Sequence, residues 1–149
     1  MMFITHLSFS FLIGLLIIKY FNISFNPFVF ILILLAATLA PDIDYPGSFL
    51  GKRLKISILF FKHRGVFHSI IMGVIFSIIL FIFTENSYYA LAVLLGYASH
   101  LFLDSFTKTG VAAFYPSKLR IKGKLKTTGF VDWVLLIIFT SLSILFFIS

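Results

Sequence analysis

The chain contains no cysteine and little charge. Five Asp and Glu and twelve Lys and Arg are spread over 149 residues, and charged residues make up only 11% of the total. The first absence excludes disulfides and thiolate metal sites. The second argues against a water-facing globule, since soluble domains carry about 25% charged residues and this chain lacks the polar surface to cover itself. There is no glycine-rich phosphate loop and no nucleophile elbow of the Ser/His/Asp type. Gly14, Gly73 and Gly96 stand singly inside apolar stretches, where they read as packing positions. The start of the chain has neither a basic n-region nor a small-residue cleavage site, so no removed signal peptide is expected. No internal repeat, low-complexity tract or composition shift divides the sequence, and residues 1–149 are expected to form one membrane-embedded domain.

The rest is largely apolar: 60% of residues are hydrophobic and the mean hydropathy is +1.11. Five apolar segments stand out, at about 3–21, 24–41, 66–84, 88–106 and 130–148. At ~1.5 Å per helical residue each can cross ~30 Å of hydrocarbon, the second with least to spare. The expected fold is all-α, a polytopic membrane helix bundle of about five transmembrane helices, with room for a short surface helix in the 48–65 loop. The net charge of +7 would suggest nucleic acid in a soluble domain. In a membrane protein it reads as basic cytoplasmic loops, so the partner is the lipid bilayer and no nucleic acid is expected.

Punctuation between the segments is local chemistry. Pro27 suits the first turn of the second helix, where its missing N–H costs nothing. Pro41 pushes Ala40 out of the α region and should end that helix. Pro41-Asp42-Ile43-Asp44-Tyr45-Pro46-Gly47 then reads as an extended exit, in which Asp42 and Asp44 point to one side. His63 and His68 are five residues apart and share no helical face. If both serve one site, His63 lies in the loop and the third helix begins at Gly65 or Val66. His100 and Asp104 are four apart and stack on one helical face. Gly96, Ala98 and Ser99 are small enough to admit a neighbouring helix.

Threading five spans back and forth collects these groups. His6, Asp42, Asp44, His63, His68, His100, Asp104 and Asp132 all fall on the side of the N-terminus, and Glu85 falls on the other. Eleven of the twelve Lys and Arg lie on that same side, with Lys19 opposite. The positive-inside rule makes it the cytoplasmic face of the cell membrane. Taken singly, each group has a blander role. His6 could be an interfacial residue, His100 and Asp104 a buried pair, Asp42 and Asp44 turn formers, and Arg64 a loop charge. For Asp132 the reading as a helix N-terminal charge favoured by the macrodipole is preferred. Convergence on one face favours a shared purpose for the others. Ionisable groups in spanning segments cost ~2.5–3.5 kcal/mol on insertion scales and usually face the bundle interior. Histidine and carboxylate without thiolate suit a divalent metal, Zn²⁺ first, with Mn²⁺ or Fe²⁺ as alternatives. His6, Asp44, His68, His100 and Asp104 are the expected metal ligands. Asp42, His63 and Arg64 are the expected catalytic groups, with Arg64 able to clamp an anionic oxygen. Asp42 and His63 could equally belong to a second metal.

Three stretches carry a resemblance: Pro41-Asp42-Ile43-Asp44, then His63-Arg64-Gly65-Val66-Phe67-His68-Ser69, then Gly96 to Asp104 with Thr107, Gly110 and Pro116. Together, from His6 to about Gly129, they resemble the membrane-bound metal-dependent hydrolase family, also known as LexA-binding, inner-membrane-associated hydrolases. The resemblance implies a metal-dependent hydrolase, and the family's remote similarity to zinc-dependent phospholipase C implies phosphoester chemistry. The His100/Asp104 pair is the part most similar to those enzymes' ligands. Where the family tends to have a glutamate near the start of the last helix, this chain has Asp132, one methylene shorter. No residue here forms a site assignable to a LexA-type regulator.

The leading expectation is therefore a hydrolase acting on an anionic, membrane-associated phosphoester. A metal or proton transporter and a membrane recruitment protein are the competing readings. Transporters hold their ligands near the bilayer midplane in repeated halves, and neither feature is legible here. The topology is directly testable because the chain lacks cysteine. With single cysteines introduced at Ser57, Ser87 and Ser117, a non-permeant thiol reagent added to intact cells should label only the Ser87 position. Labelling at Ser57 or Ser117 instead would invert the orientation.

Overall fold

The computed structural model describes residues 1–21, 25–44, 66–117 and 119–148. They form five α-helices: α1 (Phe3–Tyr20), α2 (Pro27–Leu39), α3 (Ile70–Thr84), α4 (Ser87–Ser105) and α5 (Phe130–Ile148). Two 3₁₀ turns, Ala40–Asp44 and Val66–His68, flank the segment between α2 and α3. Among the described residues there is no β-strand, and isolated bridges join Thr107 to Leu125 and Val111 to Ile121.

Helix boundaries follow from capping. The Asn26 side chain accepts from the Phe28 and Val29 N–H groups, with Pro27 at the first helical position. Ser69 accepts from Met72 N–H at the start of α3, and Asn86 accepts from Tyr88 and Tyr89 at the start of α4. Glu85, in the left-handed region at φ 51°, ends α3. A link of only Glu85 and Asn86 then sends α4 back alongside α3, as short connections between helices require.

Helix α4 is the inner member. It packs against α2 and α3 and touches α1, while α5 lies on α1. Gly96 makes the closest of these approaches: a Cβ there would stand 2.2 Å from the Leu34 carbonyl oxygen and 3.1 Å from Ala37 Cβ. The small-residue reading of Gly96 thus corresponds to an α2–α4 contact made backbone to backbone. Helices α3 and α5 bury little. Only Gly73 and Ser77 are buried on α3 and only Asp132 and Ser143 on α5, while Ile71, Ile75, Ile78, Ile82, Ile137, Ile138 and Leu145 are exposed.

The connection from α4 to α5 is basic, as expected, but it is folded onto the bundle. Val111, Ala112 and Ala113 are buried, and the Ala113 carbonyl accepts the Ile70 N–H at 2.9 Å, satisfying a donor at the start of α3. Gly110 provides the left-handed turn, at φ +63°, that brings Val111 against Ile121.

Three expectations change. The exit from α2 is a 3₁₀ turn, not extended backbone. Pro41 ends the α-helix but is compatible with a tighter turn, and at about 3.0 residues per turn the register that aligned Asp42 with Asp44 no longer holds. The third helix begins at Ile70, because Val66–His68 forms its own turn and Ser69 caps α3. Lengths also differ from the five-span expectation: α1 and α5 are long and apolar enough to cross a membrane, while α2 and α3 are shorter apolar helices. Helix α4 has the length, but its Ser, Tyr, His and Asp residues dilute its apolar content. The 48–65 stretch lies outside the described residues.

Replacing Gly96 with alanine should destabilise the bundle. Alanine is intrinsically the better helix former by ~1 kcal/mol, but its methyl would meet a carbonyl of α2 that cannot move without moving the helix. Overpacking of this kind costs about 1–3 kcal/mol. Thermal unfolding in detergent should show a lower midpoint for Gly96→Ala and a further drop for Gly96→Val.

Candidate metal centre

One end of the bundle brings together groups from four elements. His6 comes from the first turns of α1, Asp42 from the 3₁₀ turn after α2, His68 from the 3₁₀ turn before α3, and His100 and Asp104 from the last turns of α4. His6, His68, His100 and Asp104 are buried, whereas the Asp42 side chain retains 29% of its exposure. Asp42 is thus the member of the cluster nearest to an opening. Each side chain is held by its neighbourhood. The Tyr97 hydroxyl donates to the carbonyl of Phe67 and fixes the turn that carries His68. Ser69 Oγ donates to the Val66 carbonyl at 2.6 Å from the other side of that turn. The Thr107 hydroxyl and N–H both bond to the Asp104 carbonyl, at 2.8 and 3.0 Å, and close the end of α4.

Side-chain ligand atoms gather as two triads with a common member. His6, His100 and Asp104 form one, and Asp42, His68 and His100 the other, with donor atoms in each within 4.8 Å of one another. His6 Nε2 is 3.4 Å from Asp104 Oδ1 and His68 Nε2 is 3.5 Å from Asp42 Oδ1. His100 Nε2 sits 3.8 Å from Asp42 Oδ1 and 3.8 Å from Asp104 Oδ2. The His6 and His100 rings stack, with centroids 4.1 Å apart and planes at 13°. These separations are longer than the ordinary N–H···O range of about 2.7–3.2 Å. The two shorter ones lie close to the edge of a coordination tetrahedron, about 3.3–3.4 Å for metal–ligand bonds of about 2.0–2.1 Å, and the two to His100 are longer.

Buried polar atoms point the same way. His6 Nδ1 and both ring nitrogens of His100 have no hydrogen-bond partner among the described residues. Leaving such an atom unsatisfied costs about 1–3 kcal/mol, so the arrangement is expensive unless something else engages it. The donor set of imidazole and carboxylate fits a divalent metal of the Zn²⁺, Mn²⁺ or Fe²⁺ kind. Burial would raise the Asp42 carboxyl above its usual range. His68, His100 and His6 around it more than offset that and hold it below, in the ionised form a metal ligand needs.

Of the sequence-derived site residues, the fold brings together His6, Asp42, His68, His100 and Asp104. Asp42, read from sequence as a catalytic group, stands at ligand distance within the second triad. Asp44 is described through its backbone, as the last residue of the 3₁₀ turn, and its side chain lies outside the described residues, as do His63 and Arg64. Asp132 is in neither triad. Its Oδ1 accepts from the Thr5 hydroxyl at 2.8 Å, and its Oδ2 accepts from Met2 N–H at 2.8 Å and Thr128 N–H at 3.0 Å. Helix α1 has no side-chain cap of its own, and Asp132 supplies one from α5, one residue away from His6. Sequence reading missed this role and also the contact of the Met1 amino group with Asp104 Oδ1 at 3.0 Å. Partners more than a hundred positions apart leave no local signal.

Comparison with other proteins agrees with the membrane character. The family described as YdjM inner membrane protein matches residues 1–148. The chain is 36% identical over 93 residues to the inner membrane protein YdjM of Escherichia coli strain K12, covering 56% of this chain and 47% of that protein. The same figures hold for YdjM of Shigella flexneri. It is 30% identical over 104 residues to the uncharacterized protein YvsG of Bacillus subtilis strain 168, covering 66% of this chain and 65% of that protein. The chain thus spans about half the length of the YdjM proteins it matches. No solved structure matches the chain significantly.

If Asp132 is a clamp, its loss should cost stability before it costs metal. Asp132→Ala leaves three donors without their acceptor and should destabilise the protein by about 2–4 kcal/mol, the scale of charge-assisted hydrogen bonds broken in a buried place. Asp132→Asn, which keeps one acceptor, should fall between. Unfolding in detergent measures this. An Asp132→Asn protein of unchanged stability that has lost bound metal would make Asp132 a ligand.

Proposed function

The chain belongs to the YdjM inner membrane protein family, and we propose that it is a multi-pass, metal-dependent hydrolase whose site faces the cytoplasm. The observation that carries this reading is the pair of triads meeting at buried His100, with His6 Nδ1 and both His100 ring nitrogens lacking a hydrogen-bond partner among the described residues. Alternation of the helices supports the multi-pass part. The starts of α1, α3 and α5 and the ends of α2 and α4 lie together at the cluster end, linked by His6 with Asp104, Asp42 with His68, and Met2 with Asp132. The exposed isoleucines of α3 and α5 suit a lipid-facing surface. Helices of 13 and 15 residues are short for ~30 Å of hydrocarbon, and local bilayer thinning around the bundle accommodates them.

In this reading His6, His100, Asp104, Asp42 and His68 hold the metal. A neutral imidazole nitrogen ligates a single ion. The five groups would therefore serve one ion or two, with Asp44 and His63 as further candidate ligands named from the sequence. A divalent ion in such a site supplies Lewis acidity and lowers the pKa of water toward neutrality. The protein's own part is to keep four ligand-bearing elements in register, to exclude bulk water from the buried side, and to leave the Asp42 side open. Arg64, named from the sequence, is the candidate for binding an anionic substrate oxygen. The substrate class this chemistry suits best is a phosphoester at the membrane surface. A transporter would place its ligands near mid-membrane, and this cluster lies at one end of the bundle.

Protein purified in detergent without chelator should contain Zn, Mn or Fe by elemental analysis. His100→Ala, which removes the member common to both triads, should lose most of the metal while the protein still inserts. Less than about 0.1 ion per chain in the wild type, against the three or four ligands such sites use, would overturn the reading. Because a histidine must be deprotonated to ligate, metal should be retained at neutral pH and released on acidification. Phospholipids, lipid phosphates and generic phosphodiesters in mixed micelles then test turnover. Asp104→Asn should be inactive, and Arg64→Ala should slow turnover without stripping metal.

A further inference from the structure

We propose that the groove between α2 and α3 holds one hydrocarbon chain of an anionic amphiphile and so delivers its phosphate end to the His/Asp cluster. The proposal rests on the metal-dependent reading above and gives it a substrate class, a single-chain or multi-chain lipid phosphoester entering from the bilayer. Helices α2 and α3 both pack on α4, which leaves a slot between them floored by Val93 and Tyr97. Ala36, Ala37 and Ala40 line one wall and Phe76, Ile79 and Phe83 the other, and the volume is about 410 Å³.

Three features argue for a hydrocarbon chain as the occupant. The first is the lining. Small alanines on one wall and aliphatic and aromatic side chains on the other make an open, apolar slot that suits a flexible alkyl chain. The second is direction. From Phe83 and Ile33 at one end, the slot rises along the helices to Ala40 and Ile43, roughly 15 Å at the helical rise along α2. A lipid chain runs the same way, along the membrane normal. The third is continuity with the cluster. Ile43 follows Asp42, and Tyr97, in the floor, stands three residues before His100 and donates its hydroxyl to the carbonyl preceding His68. Charge agrees, since Lys108, Arg120, Lys122, Lys124 and Lys126 of the α4–α5 connection lie at this end and favour an anionic head.

In a bilayer the slot gains little affinity from the hydrophobic effect, because lipid tails are as apolar as its walls. Its contribution is to place the head, as positioning contacts remote from a reacting centre do. The probe is hexadecyl phosphate carrying a photoreactive diazirine in mid-chain, added to the full chain in detergent micelles. Adducts are mapped by mass spectrometry. Saturable labelling of Ile33, Ile79 and Phe83 is expected, competed by unlabelled hexadecyl phosphate and not by butyl phosphate. Ala36→Trp, which fills the slot from its exposed edge, should lower the yield about tenfold, the scale of an overpacked contact. Ile78→Trp, on the side of α3 turned away from the slot, should leave it unchanged. Competition on the wild type does not depend on either variant folding. Unsaturable labelling spread equally over the outer faces of α3 and α5 would overturn the proposal, as would adducts joining two chains. Elemental analysis of the same samples separates the two readings. Metal-loaded protein with an unlabelled slot removes the slot alone. A labelled slot in metal-free protein leaves the slot standing and removes the hydrolase.

Discussion

Burying ionisable groups inside an apolar bundle is costly unless they engage one another or an ion, and the arrangement at the cluster end is a response to that constraint. Asp104 is buried yet surrounded by His6, His100 and the Met1 amino group. Asp42 is less buried and is faced by His68 and His100. No single helix carries enough polar groups to satisfy its own. The histidines and carboxylates are contributed from helix ends and adjoining turns, so the cluster forms only when the ends of four elements are brought to one level.

Helix α4 makes that meeting tolerable. It is the most buried helix and carries His100 and Asp104 on its inner side. Its close approach to α2 at Gly96 and the packing of Tyr97 under α3 at Gly73 draw the neighbouring helices inward. A hydroxyl seam continues below the cluster, where Ser10 of α1, Thr38 of α2 and Ser99 of α4 hydrogen-bond in the interior. In lipid, where helices gain little from hydrophobic attraction to each other, such small-residue contacts and interhelical hydrogen bonds are what hold a bundle together.

The basic connection from α4 to α5 and the clamp at Asp132 tie the periphery to this frame. Ala113 accepts from the start of α3, and Asp132 reaches from α5 to Met2 and Thr5 of α1. Helix α5 therefore contributes to the cluster without touching it, by fixing the turn that carries His6. The resulting cluster is buried on one side and less covered at Asp42.

Much of this was legible in the sequence. The apolar segments, Pro27 and Pro41 as helix boundaries, the His100/Asp104 spacing and the small residues around Gly96 depend on local chemistry and helical periodicity, which act over a few residues. Back-and-forth threading was enough to gather His6, Asp42, His68, His100 and Asp104 at one end. Contacts between distant positions set the features that sequence could not decide. The exit at Asp42 became a 3₁₀ turn where the proline pattern alone suggested extended backbone. Asp132, read from sequence as a charge at the start of the last helix, stands in that first turn and also became a clamp because distant Met2 and Thr5 offered it donors. The sharing of His100 by two triads and the slot between α2 and α3 arise from how helices lean on one another. Local pattern determined which residues could meet at this end of the bundle, and only packing in three dimensions decided which of them touch.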